Sequence, residues 1–145
     1  MKRLIFILII IVFMNILHAQ TDISGLSFGM KIEDARKILV DMDAELKMET
    51  ENDISYYGNL YGLPVTIRLF VGSDKLLHRW SYSILTEGDY DQDSYIIGQF
   101  VDFHATDTIY DEWLDCEVIE LPNYNAVFIY YDLMGYLLLE YDSDL

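Results

Sequence analysis

The chain has 145 residues, enough for one domain at most, and carries 25 Asp and Glu against 9 Lys and Arg, a formal net charge of −16. A field of this sign repels phosphate backbones, so it argues against nucleic-acid binding and favours a cationic partner. Cys116 is the single cysteine, which excludes an internal disulfide, so a hydrophobic core has to hold the fold together.

The first nineteen residues have the layout of a secretory signal peptide. Lys2 and Arg3 form a positively charged start, residues 4–17 form an apolar stretch, and Ala19 ends a small-residue cleavage site before Gln20. Cleavage there leaves seven basic residues and a net charge of −18. We therefore expect a single soluble domain over residues 20–145, periplasmic or secreted, with no membrane span. The alternative is an uncleaved N-terminal anchor, although the apolar stretch is shorter than the roughly 20 residues of a membrane helix.

An amphipathic helix is predicted near the start of the mature chain, after a Gly29 pivot. Ala35, Ile38, Leu39 and Met42 recur at the spacing of one buried stripe, and charged residues fill the opposite side. The helix is expected from residue 31 to residue 42 or 44. A polar connection over residues 45–53 follows it.

A second helix and six strands are predicted in the rest of the chain. The helix is expected over residues 91–104, because Ile96 and Phe100 share one face and Asp89 or Asp91 can cap the N-terminus. Alternation of apolar and polar residues predicts strands with one solvated face. The predicted strands cover residues 54–57, 65–70, 77–85, 110–121, 126–131 and 136–141.

These elements predict an α+β domain of two layers. We expect a mainly antiparallel sheet of about five to six strands with two helices packed on one face. The order helix, meander, helix, meander indicates a weak internal duplication, which rests on the layout alone.

Four short segments of the chain resemble a known group of small exported bacterial domains. The stretch LSFGMKIEDA from Leu26 to Ala35 resembles the helix opening of BamE/SmpA-like outer-membrane assembly proteins and of β-lactamase-inhibitor-like proteins. The turn at residues 74–76, Trp113 and the closing residues 139–141 also fit this pattern. The resemblance implies a non-enzymatic envelope protein that presents a sheet face or loops to another protein. The lipoprotein cysteine of the BamE-like group is absent.

The densest group of carboxylates is a candidate calcium site. Glu87, Asp89, Asp91 and Asp93 form this group. Its last three members give a D-x-D-x-D pattern like the start of a calcium loop, in which alternating oxygens can surround a hard cation. The rest of the EF-hand pattern fails, because Ser94 stands where the loop requires glycine. The alternative is a solvated loop that caps the second helix.

No arrangement of residues typical of an enzyme is found. His104 lies near Asp102 and Asp107 and could form an acid–base or metal pair, but no His or Cys partner at ligand spacing accompanies it. Cys116 alternates with apolar residues, which predicts a buried thiol, with redox or nucleophilic use as the alternative. We therefore expect no catalytic activity and no cofactor.

Twelve tyrosines survive removal of the signal peptide. Adjacent tyrosines on a strand point to opposite faces, so one of each pair is expected on the solvated side. Tyr57, Tyr61, Tyr130 and Tyr131 are the candidate partner-binding residues, because Tyr is frequent among residues that dominate protein interfaces. The alternative is that tyrosine simply suits sheet positions with one wet end.

The sequence favours an exported, non-enzymatic protein-interaction module that binds a basic or aromatic-rich protein partner. The alternative function is a periplasmic domain that binds Ca²⁺ or a small ligand through residues 87–93. A hydrolase with an unrecognised carboxylate site is the third hypothesis.

Overall fold

A computed structural model describes residues 22–86, 88–112 and 114–143. The helices are α1 (Ile32–Asp41) and α2 (Tyr90–His104), and a short 3₁₀ turn spans Pro122–Tyr124. The strands are β1 (Met30–Lys31), β2 (Glu45–Glu49), β3 (Asp53–Leu60), β4 (Leu63–Val71), β5 (Leu76–Leu85), β6 (Ile109–Asp111), β7 (Cys116–Leu121), β8 (Asn125–Tyr131) and β9 (Tyr136–Asp142). The predicted signal peptide lies outside the described residues. Within the described ranges, no helix has the length and apolar character needed to cross a membrane.

The described strands form one antiparallel sheet in the order β2-β3-β4-β5-β9-β8-β7-β6, with the short β1 paired to β5 beside this path. Helix α1 precedes the meander β2–β5, and α2 precedes the meander β6–β9. We call these two units the first half and the second half. Their last strands, β5 and β9, pair with each other at the centre of the sheet. Strands β2 and β6 are therefore its two outer edges.

The predicted sheet of about five to six strands with two helices packed on one face is wrong, because the described residues form nine strands. Each meander has four strands rather than three. The segment Glu45–Glu49 forms β2 although all five of its residues are exposed, so it lacks the apolar alternation that marks a half-buried strand. The predicted strand over residues 110–121 breaks into β6 and β7, because Asp115 turns the chain with a φ of 53°.

Helix α1 begins at Ile32 without a capping side chain, and backbone contacts replace the cap. Strand β1 pairs with β5, and the Ile32 N–H donates to the Lys75 carbonyl oxygen at 3.2 Å. This contact satisfies one of the N–H groups that a helix N-terminus leaves unpaired. Ala35 and Leu39 are fully buried, and the other two members of the predicted stripe are partly buried against the core.

The main hydrophobic core lies on one face of the sheet, which we call the core face; the opposite side is the open face. At its centre, Trp80 of β5 lies opposite Tyr141 of β9, with ring centroids 4.6 Å apart and 7° between the ring planes. Phe28 packs on Trp80 at 4.6 Å. Ile96 and Phe100 of α2 are fully buried in the same core. The aromatic stack therefore joins the first half to the second.

A buried carboxylate ties the start of the described chain to this core. Asp22 is 2% exposed and accepts hydrogen bonds from the Trp80 indole N–H at 2.7 Å and from the Tyr82 hydroxyl. It also accepts the backbone N–H groups of Ser24 and Leu26, each at 2.9 Å. Burial raises the pKa of Asp22, and the hydrogen bonds from Tyr82, Ser24 and Trp80 oppose that rise. These donors replace the hydration that the carboxylate loses in the core.

Candidate interaction cleft

The two halves differ in charge. Every Lys and Arg after Ala19 lies at or before Arg79, whereas the sequence from Trp80 to Leu145 contains fifteen Asp and Glu and no Lys or Arg. The net charge of the whole chain does not show this uneven distribution of basic residues. Cations are therefore attracted chiefly to the second half.

A cleft of about 500 Å³ lies in the second half, between α2 and the ends of strands β6 to β8. We call it the helix cleft. None of the described residues that line it is Lys, Arg or His. Carboxylates and tyrosines make up most of the lining, namely Tyr90, Asp93, Tyr110, Asp115, Glu117, Tyr130 and Tyr131.

The cap fixes where α2 begins, and its apolar side fixes which face of the helix turns towards the core. Asp89 caps the helix by accepting two backbone N–H groups of the first turn, at 3.1 and 3.3 Å. Ile96 and Phe100 then turn into the core. The neighbouring stripe, with Asp93 and Ile97 four residues apart, lines the helix cleft.

Asp93 is the most deeply buried carboxylate of the helix cleft, at 4% exposure. Its Oδ2 accepts a hydrogen bond from the Tyr131 hydroxyl at 2.5 Å. Its Oδ1 is buried and has no hydrogen-bond donor among the described residues. Burial and then the bond to Asp93 raise the pKa of Tyr131 to about 12, so the hydroxyl stays protonated and donates at neutral pH. Asp93 thus retains hydrogen-bonding capacity at the base of the cleft.

Two further tyrosines of the second half bond to acids. The Tyr110 hydroxyl donates to Asp115, and this bond is the main cause of a raised pKa for Tyr110. Tyr130 donates to Glu140 on the open face at 2.9 Å, and burial raises the pKa of Tyr130 to about 12. The tyrosines therefore act as hydrogen-bond donors to these three acids.

The four tyrosines proposed as partner-binding residues do not share one surface. Tyr130 and Tyr131 line the helix cleft, whereas Tyr57 lies on β3 in the first half with Lys47 5.2 Å from its ring centroid. Tyr61 lies in the β3–β4 turn with a φ of 53° and contacts Tyr95 edge to face at 6.1 Å. No local sequence pattern predicts the contact between Tyr131 and Asp93, because 38 residues separate them.

The described part of the calcium candidate does not converge on one point. Asp89 caps α2, Asp91 is exposed on the first turn, and Asp93 is buried beneath Tyr131. Residues two apart on a helix do not face each other, which explains the divergence. The described residues contain no group of three His, Cys, Asp or Glu placed to hold a metal. Because Glu87 lies outside them, the calcium site stays a prediction.

Of the other two reactive candidates, His104 is half-buried and Cys116 is buried. His104 contacts the Tyr141 hydroxyl through Nε2 at 2.8 Å, and burial lowers the pKa of His104 to about 4, so its imidazole is neutral at pH 7. Cys116 is 7% exposed and packs with Val118 and Ala126 on the open face. Burial, followed by nearby carboxylates, raises the pKa of the Cys116 thiol, which disfavours the reactive thiolate.

A scan against protein-family models, a search of curated proteins and a search of solved structures each find no match to this chain. The resemblance to BamE/SmpA-like and β-lactamase-inhibitor-like domains therefore stays a prediction from the sequence.

Proposed function

We propose that the chain is an exported, non-enzymatic protein-interaction module whose helix cleft binds a basic segment of another protein. The observation that carries the proposal is a cleft lined by acids and tyrosines within a half of the chain that has no Lys or Arg. Carboxylates bind guanidinium and ammonium groups by charge-assisted hydrogen bonds, and tyrosine rings attract the same cations through their faces.

The chemistry of the lining supports binding rather than catalysis. Tyr131, whose hydroxyl lies in the cleft, has its pKa raised to about 12, far above the range in which a general acid or base works at neutral pH. Cys116 is buried, with a raised pKa. A cleft that offers fixed carboxylates and exposed aromatic rings is suited to hold a cation. Tyr90 and Tyr131 are more than half exposed and supply such rings at the rim.

The test measures binding of two synthetic peptides to the mature chain by isothermal titration calorimetry. One peptide alternates threonine with arginine, and the other alternates threonine with glutamate. We expect binding of the arginine peptide only, weakened as salt screens the charges. Asp93→Asn is expected to weaken binding by about tenfold, because it removes a charged hydrogen-bond acceptor.

Asp41→Asn is the matched control, because it removes one negative charge from an exposed position at the end of α1. If both variants weaken binding equally, the acidic surface as a whole attracts the peptide and the helix cleft is not the site. If neither peptide binds, or both bind alike, the proposed function is wrong.

A further inference from the structure

Strand β6 is an open edge of the sheet. Ile109–Asp111 pairs with β7 on one side, and no described strand pairs with its other side. An edge strand presents backbone N–H and C=O groups along which another strand can add.

Strand β6 is only three residues long and ends in the charged Asp111, but it lacks other common obstacles to such an addition. Its register against β7 is unbroken over the three pairs, and it contains neither proline nor lysine. Ile109 and Tyr110 expose 56% and 59% of their surfaces. The opposite edge differs, because a register shift at Leu46/Met48 distorts β2 and the Glu49 carboxylate is held by Arg36 of α1. Charges and bulges of this kind are common protections of edge strands.

Cavities lie on both sides of β6. The helix cleft is on the core-face side, and a second cavity of about 360 Å³, the edge cavity, is on the open-face side. Ile109, Val118 and Phe128 form the apolar part of the edge cavity, while Tyr110 lines both cavities. Side chains alternate along a strand, so a strand added to β6 would direct every second side chain into each cavity.

We propose that an extended segment of the partner protein adds to β6 as a further strand, with Lys or Arg at alternate positions entering the helix cleft. This inference rests on the proposed function and specifies how the basic segment binds. The charges favour such an occupant, because Asp93, Asp115 and Glu117 line the helix cleft. The carboxylates of Asp111 and Glu112 flank the edge cavity. A second copy of this chain is disfavoured at β6, since two acidic edges would face each other.

The test compares the arginine–threonine peptide, about ten residues long, with two isomers that carry backbone N-methyl groups. One isomer is methylated on every threonine and the other on every arginine. Each isomer loses the donors along one edge of an extended chain and retains those along the other edge. Strand addition uses a single edge of the peptide. One isomer is therefore expected to lose about tenfold or more in affinity while the other binds like the parent peptide.

Hydrogen exchange provides the second readout on the same complex. The amides of Ile109–Asp111 that point away from β7 are expected to exchange more slowly with the parent peptide bound, whereas the edge amides of β2 (Glu45–Glu49) serve as the internal control and stay unchanged. If both isomers bind like the parent, strand addition is wrong although a basic segment still binds. If the parent does not bind at all, the proposed function fails. If the β6 amides are protected without peptide in a dimeric protein, a second copy occupies the edge and the inference is overturned.

Discussion

The two halves of the molecule share a layout, a helix followed by four antiparallel strands, but their carboxylates find different partners. In the first half the acids pair with cations, in Arg36–Glu49, Lys37–Asp34, Lys47–Glu45 and Arg68–Asp53. In the second half they accept hydrogen bonds from tyrosines, in Tyr131–Asp93, Tyr130–Glu140 and Tyr110–Asp115.

This difference gives a role to the tyrosines of the second half. A cation neutralises a carboxylate, whereas a tyrosine hydroxyl supplies a hydrogen bond and leaves the negative charge in place. The second half can therefore order its acids and still present a negative surface. Two of its acids, Glu140 and Asp142, are also paired with Arg79 across the central strands, at 2.7 and 3.8 Å. The four predictions that follow test this contrast, starting with the largest effect.

Loss of Asp22 is expected to be the most damaging change, because Asp22 is the most deeply buried carboxylate that bonds to a tyrosine. Its partner Tyr82 lies in β5, so this pair is an exception to the division between the halves. Asp22→Ala leaves the donors of Trp80 and Tyr82 unpaired in the core, and we expect a loss of about 3 kcal/mol in the free energy of unfolding. Urea denaturation of residues 20–145 measures this loss. Asp41→Ala, at an exposed position, should change stability by less than about 0.5 kcal/mol. A comparable small loss for Asp22→Ala would contradict its anchoring role.

Stability is expected to fall between pH 6.5 and pH 4 because of His104. The unfolded chain binds a proton on this histidine near the usual pKa of about 6.5, whereas in the folded chain the pKa of His104 is lowered to about 4 by burial. The stabilising contribution is present above pH 6.5 and is lost as the pH falls towards 4. Discounted for the partial exposure of the ring, it amounts to about 1–2 kcal/mol.

Urea denaturation of the wild type and of His104→Gln at pH 7.5 and pH 4.5 isolates this contribution, since the carboxylates titrate in both proteins. The variant should lose less stability than the wild type between the two pH values. Parallel losses in the two proteins would show that His104 does not titrate differently on folding.

Tyr131→Phe is expected to destabilise the protein by about 1 kcal/mol, because it removes the hydroxyl donor from the buried Asp93 carboxylate. Thermal unfolding compares it with Tyr110→Phe, whose partner Asp115 is exposed to water. The Tyr110 variant should stay within a few tenths of a kcal/mol of the wild type. If the two variants lost the same stability, burial of the carboxylate would not determine the strength of these tyrosine hydrogen bonds.

Arg68→Gln is expected to have the smallest effect, about 0–1 kcal/mol, because its ion pair with Asp53 is partly exposed. Urea denaturation at low salt and in about 1 M NaCl should show that the stability lost in Arg68→Gln is smaller at high salt, because salt screens the charges. The loss caused by Tyr131→Phe should not depend on salt. A salt-sensitive tyrosine variant would remove the proposed contrast between the two halves.

The sequence located the helices better than the strands. Apolar residues three and four positions apart marked α1 and α2 because each helix buries one stripe, such as Ala35 with Leu39. Strand β2 has no apolar alternation because its five residues are all exposed at an edge. The β6–β7 turn contains a positive φ at Asp115, for which Asp is only one of several tolerated residues. Patterns of hydrophobicity therefore identified the covered elements and missed the edges.

The sequence predicted the helix cleft only in part, because the cleft also depends on contacts between distant elements. Alternation along β8 predicted that Tyr130 and Tyr131 point to opposite faces, and they do so, with hydroxyls on Glu140 and Asp93. The meeting of α2 with the end of β8 depends on the strand order, which no local pattern encodes. The absence of Lys and Arg after Arg79 is visible in the sequence and predicts an acidic second half without any structure.

The pairing of β5 with β9 also has a consequence for how the chain folds. Arg79 pairs with Asp142 and Leu85 with Tyr136, so the central seam joins segments more than fifty residues apart. Contacts of such long separation raise the contact order and slow folding, because loop-closure entropy is lost before the contacts form. During synthesis β5 cannot complete the sheet until the β9 segment has emerged. The central pairing of the sheet is therefore expected to form only late in synthesis.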